Sequence, residues 1–466
     1  MRAFVFKTTN NNCYLYSPLQ KRFHAIPNET FNAIKSGNLN SDFLATSFLN
    51  LGYLDESNPN YNCRISSDDI IISLANVPQI VFEVTTLCNL SCKYCCYGNC
   101  YETFSNRKTG NLSIDYAKVL LDYISDVCKS YNNTNVNTPL VLSFYGGEPL
   151  INFSLIKEIV TYAKSLEFPG RFLKYSLTTN ATLLSKHVDF LQENDFALLV
   201  SLDGDKKNNS YRTFKNGDET FDSIIDNLLY VKNKYPDFFK SIRFNSVYTD
   251  LSDTDSIFDF FSKNFNKTPT LSPLHTNDSD VISETLSKMK KKITPPSSHW
   301  FELYPNAFLE IPIHKKIVQV LMYMSDSLYY NEHTFIESFN TKSSFPTHTC
   351  IPFSKRIFMT YDGNIIACEK VNRDNPLAYI RQNKLVINYA YIADVFNKVV
   401  EKYKPLCENC ALQHLCNHCA FTSSNQSCCP EFKTFDSLSE VFGEVFSYIE
   451  DNPKIIDKIF ENIILR

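Results

Sequence analysis

From residue 79 onward, apolar runs of five to seven residues alternate with segments whose apolar positions recur at helical spacing. The runs 80–84, 140–145, 175–179, 197–202 and 242–247, with a poorer sixth at 268–274, predict strands. The segments 114–127, 154–166, 184–193, 219–232 and 253–264 between them predict amphipathic helices. Strand-helix alternation with buried strands implies a parallel sheet wound right-handedly. Six such units make an α/β fold, a partial (β/α)6 TIM-like barrel. Ligands of such sheets bind at the carboxyl ends of the strands, so the loops there are where chemistry is expected.

The pattern differs on either side of this block. Residues 1–75 predict a small α/β domain, with short strands at 4–7 and 12–17, short helices at 29–35 and 41–49, and an exit strand at 52–54. Residues 76–275 form the barrel, and 276–344 a polar linking or bridging region. That region carries a lysine run at 288–292, read as a solvated helix face, the single tryptophan Trp300 and an aromatic run at 323–330. Residues 345–432 are cysteine-rich, and 433–466 predict a C-terminal helical segment.

At 466 residues, two or three domains are expected. A net charge of -4 and a pI near 6.2 provide no field for a polyanion, which argues against nucleic acid as a partner. The N-terminus lacks the apolar core of a signal peptide, and no run of about 18 apolar residues is present to span a bilayer. A cytoplasmic, non-membrane protein is expected. In a reducing compartment its 16 cysteines point to metal or redox chemistry rather than disulfides. None lies between Cys128 and Cys350, and eight fall from Cys350 to Cys429, which suggests two separate metal regions.

Directly after the first barrel strand stands Cys88-x3-Cys92-x2-Cys95. Three thiolates hold three corners of a [4Fe-4S] cube and leave one iron open to a reactive ligand. A structural zinc loop is the alternative, but it would need a fourth ligand, and Cys96 and Cys100 are mis-spaced for it. The second strand ends in Gly146-Gly147-Glu148-Pro149 and the third in Thr179-Asn180. The fourth ends in Ser201-Leu202-Asp203-Gly204, followed by Tyr211-Arg212 and Gly217-x2-Thr220-Phe221, and the fifth strand offers Asn245. Singly, these read as a strand-to-helix turn with proline in the first helical turn, a simple Asp-Gly turn and a surface arginine.

In this order along the strands, the motifs resemble those of the radical SAM superfamily, in the branch that modifies peptides and is related to the anaerobic sulfatase maturases. The resemblance implies that Cys88, Cys92 and Cys95 hold a [4Fe-4S] cluster on which S-adenosylmethionine (SAM) binds, with Tyr94 beside the adenine. Gly146, Gly147, Glu148 and Pro149 would receive the SAM amino group, and Asn180 would contact SAM from the adjacent strand end. Ser201 and Arg212 would hold the SAM carboxylate, Arg212 as a forked cation. No catalytic acid or base is assigned.

The later cysteines, Cys350-x12-Gly363-x4-Cys368 and then Cys407-x2-Cys410-x5-Cys416-x2-Cys419 with Cys428-Cys429, resemble the SPASM domain of such enzymes. That resemblance implies two auxiliary [4Fe-4S] clusters, three clusters in all. The first would use Cys350, Cys368 and Cys419 and keep an open iron, the alternative being that Cys428 and Cys429 divide between the two clusters and close both. The second would use Cys407, Cys410, Cys416 and either Cys428 or Cys429. The family usually has one more residue between the cysteines matching Cys416 and Cys419, and often another cysteine before Cys350. Zinc ribbons, with His414 and His418 as further ligands, are the alternative. Residues 1–75 resemble the small winged-helix domain that recognises leader peptides, with a generic α/β cap over the barrel mouth as the alternative. The implied function is hydrogen abstraction by a 5'-deoxyadenosyl radical, followed by an oxidative crosslink (thioether, carbon-carbon or carbon-oxygen) in a ribosomally made precursor peptide. Its partners would be that peptide with its leader and a one-electron donor such as flavodoxin or ferredoxin. Formylglycine formation of the sulfatase-maturase kind, or a non-catalytic peptide-binding scaffold with structural metal, are the rival readings.

Overall fold

The computed structural model describes residues 3–18, 20–55, 64–95, 97, 108–274, 284–294, 297, 300, 308–309, 311–324, 349–371, 373, 375–412, 416, 418–423, 429 and 432–462. The chain divides into two compact units, one of Met1–Arg64, Ser297–Thr349 and Asn397–Arg466, the other of Ile65–Pro296 and Cys350–Phe396. The cysteine-rich stretch 345–432 contributes to both.

The first unit starts with an antiparallel sheet of β1 (Phe4–Lys7), β2 (Cys13–Ser17) and β3 (Arg22–Ile26), in register Phe4↔Tyr16 and Tyr16↔Phe23. Helices α1 (Asn28–Ser36) and α2 (Phe43–Asn50) follow, α2 capped by the Asp42 carboxylate, which accepts from the Ala45 amide at 2.8 Å. The exit strand expected at 52–54 is a turn, closed by the Tyr53 amide on the Phe48 carbonyl at 2.9 Å.

The second unit opens with α3 (Ser67–Ala75), started by a capping box between Ser66 and Asp69. Six parallel strands then run in sequential order: β4 (Gln79–Thr85), β5 (Thr138–Gly146), β6 (Arg171–Thr179), β7 (Phe196–Ser201), β8 (Arg243–Tyr248) and β9 (Thr270–Pro273). The connecting helices are α4 (Ile114–Cys128), α5 (Phe153–Lys164), α6 (Leu184–Glu193), α7 (Phe221–Lys234), α8 (Pro236–Ser241) and α9 (Thr254–Phe265), with α10 (Glu284–Met289) after β9. All six expected strands and all five expected helices of the barrel are present, shifted at their ends by a few residues. Leu142, Phe144, Leu177, Leu198, Val200 and Phe244 alternate along the strands and are buried between sheet and helices.

In the first unit again, α11 (Pro312–Met324) supplies Ile317 to a core that includes Phe4, Phe6 and Tyr16. In the second, β10 (Ile357–Met359) pairs in parallel with β4, and β11 (Asn364–Ile366), β12 (Ala378–Arg381) and β13 (Lys384–Ile387) extend it antiparallel, giving a sheet of ten strands. The turn at 361–364 joins β10 to β11 as a hairpin, with Gly363 at φ 80°. Helix α12 (Tyr389–Glu408) follows, and α13 (Phe435–Asp451) and α14 (Ile455–Asn462) complete the first unit. Phe442 and Val445 of α13 pack on the β1–β3 sheet. Among the described residues, no helix is long and apolar enough to cross a membrane.

A candidate cofactor site at the carboxyl ends of the strands

The cysteine loop 88–95 leaves the end of β4 and is pinned along its length. The Ser91 amide donates to the Thr213 carbonyl at 2.8 Å, the Lys93 amide to the Tyr211 carbonyl at 3.0 Å, and the Lys215 amide to the Asn89 carbonyl at 3.3 Å. The segment around Arg212 is therefore the scaffold of the loop. A turn closed by the Gly217 amide on Phe214, at 3.0 Å, lets that segment double back. The Thr220 hydroxyl, at the start of α7, then donates to the Arg212 carbonyl at 2.7 Å. The spaced Arg, Gly and Thr of the sequence motif thus hold one loop in shape.

Gly146 and Gly147 answer to backbone crowding. A Cβ on Gly146 would lie 2.1 Å from the Thr85 carbonyl oxygen, and one on Gly147 2.1 Å from that of Leu87. The Gly147 and Glu148 amides donate to those same two carbonyls, at 2.9 and 2.8 Å. Their N–H groups are thus spent on the chain that leads into Cys88. A register shift between Glu83 and Thr85 reaims that chain just before the loop. Pro149 opens the short 3-10 turn Pro149–Asn152, where its missing N–H costs nothing.

The Glu148 side chain is only 1% exposed. It accepts from the Asn180 amide at 2.7 Å, the Thr179 hydroxyl at 2.7 Å and the Leu150 amide at 3.1 Å. Burial pushes its carboxyl up to about 7, against those three hydrogen bonds, which favour the ionised form. Asn180 has both ends of its side-chain amide engaged. Its Nδ2 donates to Asn89 Oδ1 at 3.0 Å and reaches Cys88 Sγ at 3.9 Å, and its Oδ1 accepts from the Thr182 amide and hydroxyl at 3.0 and 2.6 Å. It braces the loop from the third strand end. Ser201 closes β7 in register with Asn245 of β8.

Arg212 is buried, and its fork faces the protein. Nε donates to Asp203 Oδ2 and Nη2 to Asp203 Oδ1, both at 3.0 Å. Tyr94, also buried, donates its hydroxyl to the same carboxylate, and the Arg212 guanidinium lies 5.3 Å from the centre of its ring. Asp203 is the residue that sequence reasoning passed over as half of an Asp-Gly turn. Its position after an apolar strand was the available signal.

Cys88, Cys92 and Cys95 lie close enough to influence one another electrostatically, with the Cys95 amide donating to the Cys92 carbonyl at 3.1 Å. Burial pushes the Cys92 thiol up to about 12 and raises Cys88 as well. Buried thiols of this kind become thiolates when a bound metal supplies the positive charge. Among the described residues, no three His, Cys, Asp or Glu side chains converge as ligands of a single metal ion.

Residues 82–255, which carry this whole arrangement, match the family model of the radical SAM superfamily. This stretch is a radical SAM domain. The chain is similar to an uncharacterised protein, MJ0907, of Methanocaldococcus jannaschii, 31% identical over 160 residues, 34% of this chain and 49% of that one. A cysteine-type anaerobic sulfatase-maturating enzyme of Clostridium novyi is 26% identical over 198 residues, 41% of this chain and 49% of its own length. The radical SAM cyclopropyl synthase TigE of Paramaledivibacter caminithermalis is 28% identical over 192 residues, 40% and 37% respectively. The chain thus spans about half the length of the curated relatives it matches, or less. The solved structure of native anSMEcpe with bound AdoMet and Cp18Cys peptide aligns with a TM-score of 0.52 at 17% identity. The alignment covers 82% of this chain and 99% of that one, a likeness of fold.

The site of the radical SAM domain fits a cluster and SAM on one further ground. Among the described residues no cationic side chain pairs with Glu148, so its burial beside the cysteine loop leaves a carboxylate suited to an ammonium group from outside the protein.

The described cysteines from Cys350 onward fall into two groups. Cys407, Cys410, Cys416 and Cys429 interact electrostatically. Burial, and after it the nearby Cys416, Cys410 and Cys429 thiols, push Cys407 up to about 12. The Lys433 amide donates to Cys410 Sγ at 3.5 Å and the His418 amide to Cys416 Sγ at 3.4 Å. These belong to the first unit, as does Cys419, whereas Cys350 and Cys368 belong to the second, flanking the β10–β11 hairpin. Cys428 and His414 lie outside the described residues.

Proposed function

We propose that this protein is a radical SAM enzyme that matures a ribosomally made precursor peptide by forming an oxidative crosslink. The observation that carries the SAM reading is the buried Glu148 carboxylate, without a cationic partner among the described residues and set against the loop of Cys88, Cys92 and Cys95. Bound there, a reduced [4Fe-4S] cluster and SAM would supply the 5'-deoxyadenosyl radical that removes hydrogen from an unactivated carbon. Glu148 would receive the SAM ammonium, Ser201 and Arg212 its carboxylate, and Tyr94 would lie against the adenine. Gly146, Gly147 and Asn180 act on the loop, holding Cys88 where the strand ends meet.

The names of two relatives support the peptide and the bond closure: one matures a sulfatase, a protein, and the other is a cyclopropyl synthase, which closes a carbon ring. Cys407, Cys410, Cys416 and Cys429 would hold an auxiliary cluster able to take the second electron as the bond closes. A cytoplasmic flavodoxin or ferredoxin would supply the first. Residues 1–75, which include the three-stranded sheet β1–β3, would take the leader.

The sulfatase-maturating relative favours formylglycine formation as a second reading. Anaerobically reconstituted protein, reduced and incubated with SAM and a short peptide encoded beside its gene, separates the two. A crosslinked product loses hydrogen only and carries no aldehyde, whereas a formylglycine product reacts with hydroxylamine. Absence of SAM cleavage in iron-loaded protein would overturn both.

A further inference from the structure

Asp203 is the meeting point of four segments. It follows β7 and is fully buried. Its Oδ2 accepts from Arg212 Nε at 3.0 Å and from the Tyr94 hydroxyl, and its Oδ1 accepts from Arg212 Nη2 at 3.0 Å and from the Val247 amide of β8 at 2.9 Å. A carboxylate offers about four acceptor positions, so this one is saturated. Its backbone is held too: the Ser246 hydroxyl donates to its carbonyl at 2.9 Å, and its amide reaches Asn209 Oδ1 at 3.4 Å.

We infer that Asp203 is a positioning residue for SAM: it takes the Nε–Nη2 edge of Arg212, so that the Nη1–Nη2 end remains for the SAM carboxylate, and it ties that end to the cysteine loop through Tyr94. This rests on the SAM site proposed above. It narrows the forked recognition that the sequence motif implies to the Nη1–Nη2 end of the guanidinium, because Asp203 occupies the Nε–Nη2 edge. The loop bearing Cys92 and Cys95 and the arginine then move as one piece, since Tyr94 lies between those cysteines and both Tyr94 and Arg212 end on the same carboxylate.

The test uses full-length protein with its clusters reconstituted anaerobically. It compares wild type with Asp203→Asn and Tyr94→Phe, reading SAM affinity by equilibrium dialysis and the change that SAM causes in the electron paramagnetic resonance spectrum of the reduced cluster. At wild-type iron content, Asp203→Asn is expected to weaken SAM binding by about tenfold or more, the size of losing a charge-assisted hydrogen bond, and to alter the SAM-induced spectral change. Tyr94→Phe keeps the ring and the ion pair and should weaken binding by about threefold, one neutral-donor hydrogen bond. If Asp203→Asn does not accumulate as folded protein, Tyr94→Phe decides alone. Unchanged affinity and spectrum in the folded variants would overturn the inference, and tighter binding by Asp203→Asn would show that Asp203 competes with SAM for the arginine. Failure of the wild type to bind SAM would instead overturn the function proposed above.

Discussion

The two best-defined groups of cysteines share their burial and differ in their neighbours. Cys92 and Cys407 are both pushed up to about 12, chiefly by loss of water. Around Cys88, Cys92 and Cys95, however, stand buried polar groups: Glu148, Asn180, Asp203, Arg212 and Tyr94. Around Cys407, Cys410, Cys416 and Cys429 the packing is apolar, with Tyr403, Ala420, Val399 and Leu406. Burial of thiols therefore does not distinguish a reactive cluster from a structural or electron-storing one. Ligand count and polar surroundings would: three thiolates would leave an iron of a bound cluster open, with polar groups to orient what binds there, whereas four would close the cube in an apolar shell.

The sharpest way to break this comparison is to remove ligands from each side. The triple replacement of Cys88, Cys92 and Cys95 by Ala should abolish SAM cleavage and remove one cluster's iron from a total of about twelve per chain. Cys407→Ala should remove a different cluster and leave uncoupled SAM cleavage in place. Iron analysis, Mössbauer spectra and deoxyadenosine formation check both, and stoichiometric zinc with little iron would sink the assignment. A narrower cut concerns closure of the four-thiol group. Cys429→Ala should lose the Cys407 cluster, whereas Cys428→Ala should retain it, and loss of that cluster from Cys428→Ala alone would reassign its fourth ligand.

On the polar side, Arg212→Ala should lower the stability of the protein by about 3–5 kcal/mol, since it leaves the buried Asp203 carboxylate without its cation. It should also weaken SAM binding by about 1.5–3 kcal/mol. A denaturant melt and a binding isotherm measure the two, and a change in neither would mean that the Arg212–Asp203 pair supports neither the fold nor the SAM site.

A further expected effect is a pH dependence. The Glu148 carboxyl is raised by burial from 4.5 to about 7, so between those values the folded protein holds a proton that the unfolded chain has lost. Ligand-free protein therefore loses stability as pH rises through that window, by about 3 kcal/mol in all, and Glu148→Gln should flatten this slope. An ammonium ligand favours the ionised form, so SAM binding near neutral pH should release a fraction of a proton. Calorimetry in two buffers of different ionisation enthalpy would show it.

Strand and helix order in the parallel sheet was legible because buried strands and amphipathic helices leave period-2 and period-3.6 patterns that need no knowledge of neighbours. Short or half-exposed elements left no such mark. Strand β3, Arg22–Ile26, buries only Ile26, so its period is invisible. Strands β10–β13 have three or four residues each, and β10 earns its place by pairing with β4, more than 270 residues earlier, which no local pattern announces. The helix Ser67–Ala75 did carry a signal, the Ser66–Asp69 capping box, that went unread.

For the site, residue types and spacing alone determined the chemistry: three cysteines in a loop, a Gly-Gly-Glu-Pro and an arginine at successive strand ends. The tertiary structure decided what each group faces. Only there do Gly146 and Gly147 meet the backbone of Thr85–Leu87, and only there does Asn180 brace Asn89. There too Asp203, nine residues before Arg212, takes the arginine's fork, and Arg373 pairs with Glu83 from across the sheet at 2.9 Å. Hydrogen bonds and ion pairs are made between side chains that the fold brings within about 3 Å, and a linear pattern records which groups are present but not which of them already have a partner.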